Sequence, residues 1–174
     1  YLIGDGFSGK GKFPFIDEMN LSTKETKRLY QSNLTKKVED ISYALDMSKG
    51  EVLVRIESKN EYPNYYIRNI KKKIELIPVT QFENPFKSIQ DVHKEVIKYN
   101  REDGLELSGT LYLPTNYEEG KKYPMIMWAY PREYKDKNTA GQSTSNSNQF
   151  TYPSYGSPIF WVTKGYVVLN NASF

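Results

Sequence analysis

The stretch PMIMWAYP (residues 124–131) decides how the rest of the chain is read. Six residues without a charge lie between two prolines, with Lys121 and Lys122 before them and Arg132 and Glu133 after. A short apolar run bounded this way reads as a strand buried on both faces, as in a parallel sheet. Open α/β sheets bind their ligands beyond the carboxyl ends of such strands. The residue at that end here is Tyr130. Trp128, inside the run, reads as core.

Downstream, residues 131–153 form a long polar connection, and loops of that length tend to be functional or mobile. Ser157-Pro158 then reads as an N-cap followed by proline at the first helical position, and Gly165 as the residue past the helix end. The helix between them (residues 159–164) is short and apolar, with Phe160 as core. Residues 166–169 give the next buried strand. Strand, helix, strand is the crossover unit of a parallel sheet.

Upstream of residue 124 the pattern is different. Residues 105–113 alternate, with Leu105, Leu107, Leu111 and Leu113 on one face and Glu106, Ser108, Thr110 and Tyr112 on the other. That is a strand with one covered face. Asp103-Gly104 makes a tight turn from a preceding strand over residues 92–99. Before these come short strands in series. Residues 13–20 and 26–31 form a hairpin. Residues 41–46, 51–57, 65–70 and 74–80 form a set of four, and Pro78 marks the last as an outer edge. Phe15-Ile16-Asp17 lies about 51 residues before Tyr66-Ile67-Arg68, a spacing that fits four-stranded propeller blades. A plain β-meander is the alternative. The loop GDGFSGKGK (residues 4–12) has part of a phosphate-binding pattern, but Gly11 stands where Ser or Thr is needed and a strand follows instead of a helix. It reads as a hairpin loop.

Composition narrows the classes. The chain has 174 residues, 38% hydrophobic, with 15 Tyr and 8 Phe. The low apolar share suits short strands and many turns. A net charge of +3, from 24 basic and 21 acidic residues that are interspersed, gives no nucleic-acid footprint. There is no cysteine, which excludes disulfides and thiolate metal sites. No apolar run is long enough to suggest a membrane span. Nothing in the pattern calls for a cofactor or a metal, and oligomeric state is left open.

The strings PFIDEMNL (residues 14–21), DGLELSGTLYLP (103–114), MWAYPREY (127–134), AGQ (140–142) and GYVVL (165–169) occur in an order that resembles the prolyl oligopeptidase superfamily of serine peptidases. They are most like its glutamyl endopeptidase branch. The resemblance implies β-propeller blades over residues 1–86, followed by the N-terminal portion of an α/β-hydrolase catalytic domain over residues 87–174. It also implies a peptide substrate cleaved by acyl transfer, and a chain that is a piece of a longer enzyme. The family's nucleophile sits in a Gly-x-Ser-x-Gly elbow followed by Asp and then His. This sequence has no such elbow, and its one histidine, His93, precedes the catalytic strands. Nucleophile, acid and base are therefore expected outside it, and His93 reads as an ordinary exposed strand residue. One catalytic group is expected within it. In this superfamily a tyrosine at the end of the third strand donates its phenol to the oxyanion, and Tyr130 holds that place in WAYP. Arg132 is a candidate to grip a substrate carboxylate, since a guanidinium can do so bidentately. A non-catalytic blade module, or an esterase on the same fold, are the alternatives.

Overall fold

A computed structural model describes residues 1–8, 11–72, 74–129 and 146–173. Two compact units emerge. The first is Tyr1–Asn84 with Asn148–Phe150, and the second is Pro85–Ser147 with Thr151–Phe174.

The first unit is antiparallel β throughout. Its opening strands are β1 (Leu2–Gly4), β2 (Phe7–Ser8), β3 (Gly11–Lys12), β4 (Phe15–Met19) and β5 (Thr26–Gln31). They form a three-stranded sheet in the order β1-β4-β5 and a small β2-β3 hairpin. The glycine-rich loop is thus a hairpin, as its pattern predicts. Between β4 and β5 the chain reverses because Asn20 Oδ1 accepts from the backbone N–H groups of Ser22 (2.9 Å) and Thr23 (3.2 Å). This is the side-chain mimicry of a turn that asparagine favours.

The next four strands are β6 (Val38–Asp46), β7 (Glu51–Glu57), β8 (Asn64–Asn69) and β9 (Ile77–Pro78), paired in sequence order. Pro78 does lie on the outer strand, where a missing N–H costs no ladder bond. The β6–β7 reversal is pinned by Asp46, whose Oδ1 accepts from the N–H groups of Ser48 and Lys49. The Ser48 hydroxyl and Lys49 hold the Asp46 carboxyl down to about 2. Val52, Val54 and Ile56 on β7 are buried with Ile16 of β4, and Leu29, Tyr30 and Tyr66 pack against them. Each such aliphatic side chain contributes about 1.5–3 kcal/mol by leaving water. The alternation of EVLVRIE therefore translates directly into a core face.

A buried carboxylate crosses this apolar seam. Glu39 on β6 is fully buried. It accepts from Ser32 Oγ (2.6 Å), Tyr30 Oη (2.8 Å) and Arg68 Nε (2.6 Å). Donors from β5, from the residue after it, and from β8 thus meet on one side chain. Burial pushes the Tyr30 phenol up, and the Glu39 charge adds to that.

The second unit holds one mixed sheet. Its strands are β10 (His93–Asn100), β11 (Glu106–Leu113), β12 (Met125–Trp128) and β13 (Val167–Asn170), in the order β10-β11-β13-β12. β10–β11 and β11–β13 are antiparallel, and β12–β13 is parallel. The hairpin turn carries Gly104 at φ +85°, a conformation glycine adopts without strain. Two 3-10 helices, Lys87–Ile89 and Pro158–Lys164, cover one face. The second has the predicted caps: Ser157 Oγ accepts from Ile159 N, and Gly165 closes it at φ 82°. It is wound as 3-10 where a short apolar helix is all that the sequence signalled.

Three expectations are corrected. Of the stretch read as a doubly buried strand, residues 125–128 are not covered on both faces. Met125, Met127 and Trp128 are 52%, 60% and 50% exposed, because β12 is the outer strand of this sheet and only β13 pairs with it among the described residues. Trp128 is therefore not core, and Phe160, 44% exposed, is not either. Finally, β11 does not have a single covered face. Ser108, Thr110 and Tyr112 are as buried as Leu107. Tyr112 sits among Ile89, Ile159, Val162 and Val168, under the 3-10 helices.

Replacing Glu39 tests the first unit. Glu39→Ala should cost about 3–5 kcal/mol, because it strands the Arg68 charge and two hydroxyl donors away from water. Glu39→Gln should cost less, as it keeps an acceptor. Denaturant unfolding measures both, and a loss under about 1 kcal/mol for Glu39→Ala would contradict the role given to this carboxylate.

Candidate functional site

The rim to which the sequence points is the carboxyl end of β12 and its parallel neighbour β13. The two strands run in register from Met125↔Val167 to Trp128↔Asn170. Val167 N donates to Pro124 O (2.9 Å) at the start, and Ala172 N donates to Trp128 O (3.1 Å) past the end. The backbone is thus fixed by hydrogen bonds up to the last residue of β12. Ala129 follows and is exposed. Tyr130 and Arg132, the two residues singled out for the site, lie outside the described residues.

Beyond β13 the chain turns at Asn171, which has φ 52°, a left-handed conformation that asparagine tolerates better than most side chains. Ala172 is buried. Two residues hold this end of the rim. Gly109 on β11 lies so close that an added Cβ would fall 2.9 Å from Leu169 Cδ1 and 3.4 Å from Ala172 Cα. A side chain there would push the Leu169 methyl aside and crowd the backbone at Ala172. Tyr99 on β10 donates its phenol proton to Ser173 O (2.7 Å) and accepts from Ser173 N (3.0 Å). One phenol thus satisfies both backbone groups of a residue just past the strand.

The titratable groups near this sheet are structural. Burial pushes the Tyr112 phenol up, against a hydrogen bond with Thr151, so it stays protonated. His93 is exposed on β10 with Nε2 3.6 Å from Glu95 Oε2, in keeping with its reading as a surface strand residue. Among the described residues no cluster of His, Cys, Asp and Glu could hold a metal ion. No helix among them is long and apolar enough to cross a membrane. What the described rim can do is present the residues after Trp128 from a rigid strand end. Tyr99 and Gly109 escaped the sequence reading. A tyrosine in a strand of mixed polarity carries no sign of a backbone partner 74 residues away.

Comparison with known proteins finds similar chains. The chain is 32% identical over 179 residues to a "Probable glutamyl endopeptidase, chloroplastic" of Oryza sativa subsp. japonica. It is 30% identical to the protein of the same name in Arabidopsis thaliana. The chain is thus similar to two proteins of that name over nearly its whole length. The match takes in 97% of the chain but only 19% and 18% of these relatives, so the chain spans about a fifth of their length. No protein-family model matches. Among solved structures it is similar to Porphyromonas gingivalis dipeptidyl peptidase 4, with TM-score 0.54 at 13% identity, over 94% of this chain and 22% of that one. Oligopeptidase B from Trypanosoma brucei gives 0.52 at 9%, over the same shares. A post-proline cleaving enzyme from Rickettsia typhi gives 0.53 at 14%, again over 94% and 22%. These likenesses concern the fold alone: largely antiparallel sheets with little helix, as in these peptidases. The resemblance read from the short strings holds.

Tyr99→Phe tests the anchoring of the rim. It removes both hydrogen bonds to Ser173 and should lower stability by about 1–2 kcal/mol, with faster amide exchange at Ser173. Unchanged stability and exchange would show that the phenol holds nothing.

Proposed function

We propose that this chain is part of a serine-type peptidase of the prolyl oligopeptidase superfamily. Residues 1–86 supply the last blades of a β-propeller, and residues 87–174 open an α/β-hydrolase domain. The observation that carries the reading is the parallel β12–β13 pair, hydrogen-bonded to its last residue, with the sequence string of the glutamyl endopeptidase branch running on from it into Tyr130. The relatives' name supports peptide bonds as the substrate class and glutamate as the residue recognised.

In this reading the phenol of Tyr130 donates a hydrogen bond to the oxyanion of the tetrahedral intermediate. A donor carried on a fixed strand end needs no reorganisation as charge develops, which is why such donors lower the barrier rather than merely bind substrate. Arg132, two residues on, pairs with the carboxylate of a glutamate side chain. A planar guanidinium suits that task because it offers two parallel donors to two oxygens. The nucleophile, acid and base come from polypeptide beyond this chain, because the sequence holds no Gly-x-Ser-x-Gly elbow.

In the full-length protein, Tyr130→Phe should lower kcat by about 10²–10³ with KM little changed, the signature of an interaction made only in the transition state. Arg132→Gln should instead raise KM for glutamate-containing peptides and leave a glutamine analogue almost unaffected. The 174-residue chain alone should hydrolyse neither. Full activity in Tyr130→Phe would remove the phenol from the mechanism.

A further inference from the structure

The register of the four-stranded sheet in the first unit lines up one apolar residue from each strand. Tyr43 on β6 lies opposite Leu53 on β7, Leu53 opposite Ile67 on β8, and Ile67 opposite Ile77 on β9. Directly opposed residues share a face, and successive residues along a strand alternate between faces. The row therefore projects from the side opposite Val52 and Val54, which are buried with Ile16. At about 4.8 Å per strand it runs about 14 Å across the sheet. Its ends are open to water: Tyr43 is 68% and Ile77 52% exposed, and Leu53 and Ile67 between them are only partly buried.

Polar residues bound the row on both sides. Towards one end of the strands Arg55 pairs with Asp40 across β6 and β7 (3.3 Å). Towards the other end Glu51 lies opposite Asn69. An apolar band rimmed in this way marks a surface made for contact. Two observations choose the occupant. The other face of this same sheet is covered by the β1-β4-β5 sheet through Ile16, Leu29 and Tyr30, and no helix lies among the described residues of the first unit. The relatives continue for about four-fifths of their length beyond the part that this chain matches. We propose that the row of Tyr43, Leu53, Ile67 and Ile77 is an interface for a further antiparallel sheet, supplied by the same protein's polypeptide outside residues 1–174.

Two sheets pack face to face about 10 Å apart, with the side chains of their facing rows interdigitated. A row of branched aliphatic and aromatic side chains standing on a sheet suits such a partner. Docking would take the exposed parts of Tyr43 and Ile77 out of water and complete the burial of Leu53 and Ile67. The proposal rests on the reading of this chain as part of a longer peptidase, and it adds which face of the first unit meets the rest.

Hydroxyl-radical footprinting of the full-length protein tests this, with the oxidation rate at Tyr43 compared between the folded and the denaturant-unfolded state. Tyr43 should react several-fold more slowly when folded. With p-benzoylphenylalanine in place of Tyr43, irradiation should give a cross-linked species of monomer mass, joined to a peptide from outside residues 1–174. A folded-state rate equal to the unfolded one would overturn the proposal. So would a cross-link confined to residues 1–174, in the same molecule or in a second copy, or no cross-link at all. The kinetics of Tyr130→Phe are read separately. A lowered kcat in that variant beside a freely reacting Tyr43 would sink this interface and leave the peptidase reading standing.

Discussion

Strand β13 is held from both sides, antiparallel to β11 and parallel to β12, and the geometry of the second unit depends on that double pairing. Val168 at its centre is completely buried and packs with Tyr112, Ile159 and Val162. The antiparallel side ties β13 to a hairpin whose contacts are local in sequence. The parallel side must be reached through the connection that holds the 3-10 helix. A parallel pair has no hairpin to set its register, so caps and packing have to do so. Ser157 fixes where that helix starts, and Gly165 and the buried Val162 fix where it stops and hence where β13 starts. Gly109 and Tyr99 then fix where it ends. The strand end that carries the chain towards Tyr130 inherits its rigidity from these contacts.

The first unit shows a different economy. Its strands are short and its apolar share is modest, so polar groups supply a large part of its connectivity. Glu39 gathers donors from three places, and Asn64 bridges Thr80 and Phe82 through its side-chain oxygen. Buried carboxylates are worth keeping only when fully paired, since breaking one partner leaves an uncompensated charge. Glu39 meets that condition with one cation of its own. Glu57 instead shares the guanidinium of Arg55 with Asp40.

The sequence made most of the architecture legible where local chemistry dictated it. Thr26–Gln31 and Glu51–Glu57 have the bounds read from their alternation and turns, and the caps at Ser157 and Gly165 fall where proline and glycine placed them. Burial was less legible, because it depends on neighbours that periodicity does not name. Residues 125–128 look like the inside of a sheet, yet they form its outer strand here. Ser108 and Thr110 look like a solvent face, yet they are covered. The rim residues Tyr99 and Gly109 were illegible for a related reason: each acts through a backbone contact made only after the sheet assembles. The resemblance was legible because strings such as PFIDEMNL and DGLELSGTLYLP span strands and the turns beside them, where backbone geometry restricts which residues fit.

In the proposed mechanism the chain leaving β12 delivers a hydrogen-bond donor to a developing negative charge. The most direct measurement is a crystal structure of the full-length protein carrying a peptidyl boronate on its nucleophile. The account predicts Tyr130 Oη about 2.7–3.1 Å from an oxygen of the tetrahedral adduct, at the carboxyl end of β12. A Tyr130 ring packed into the protein, with its phenol bonded elsewhere and no contact with the adduct, would contradict it.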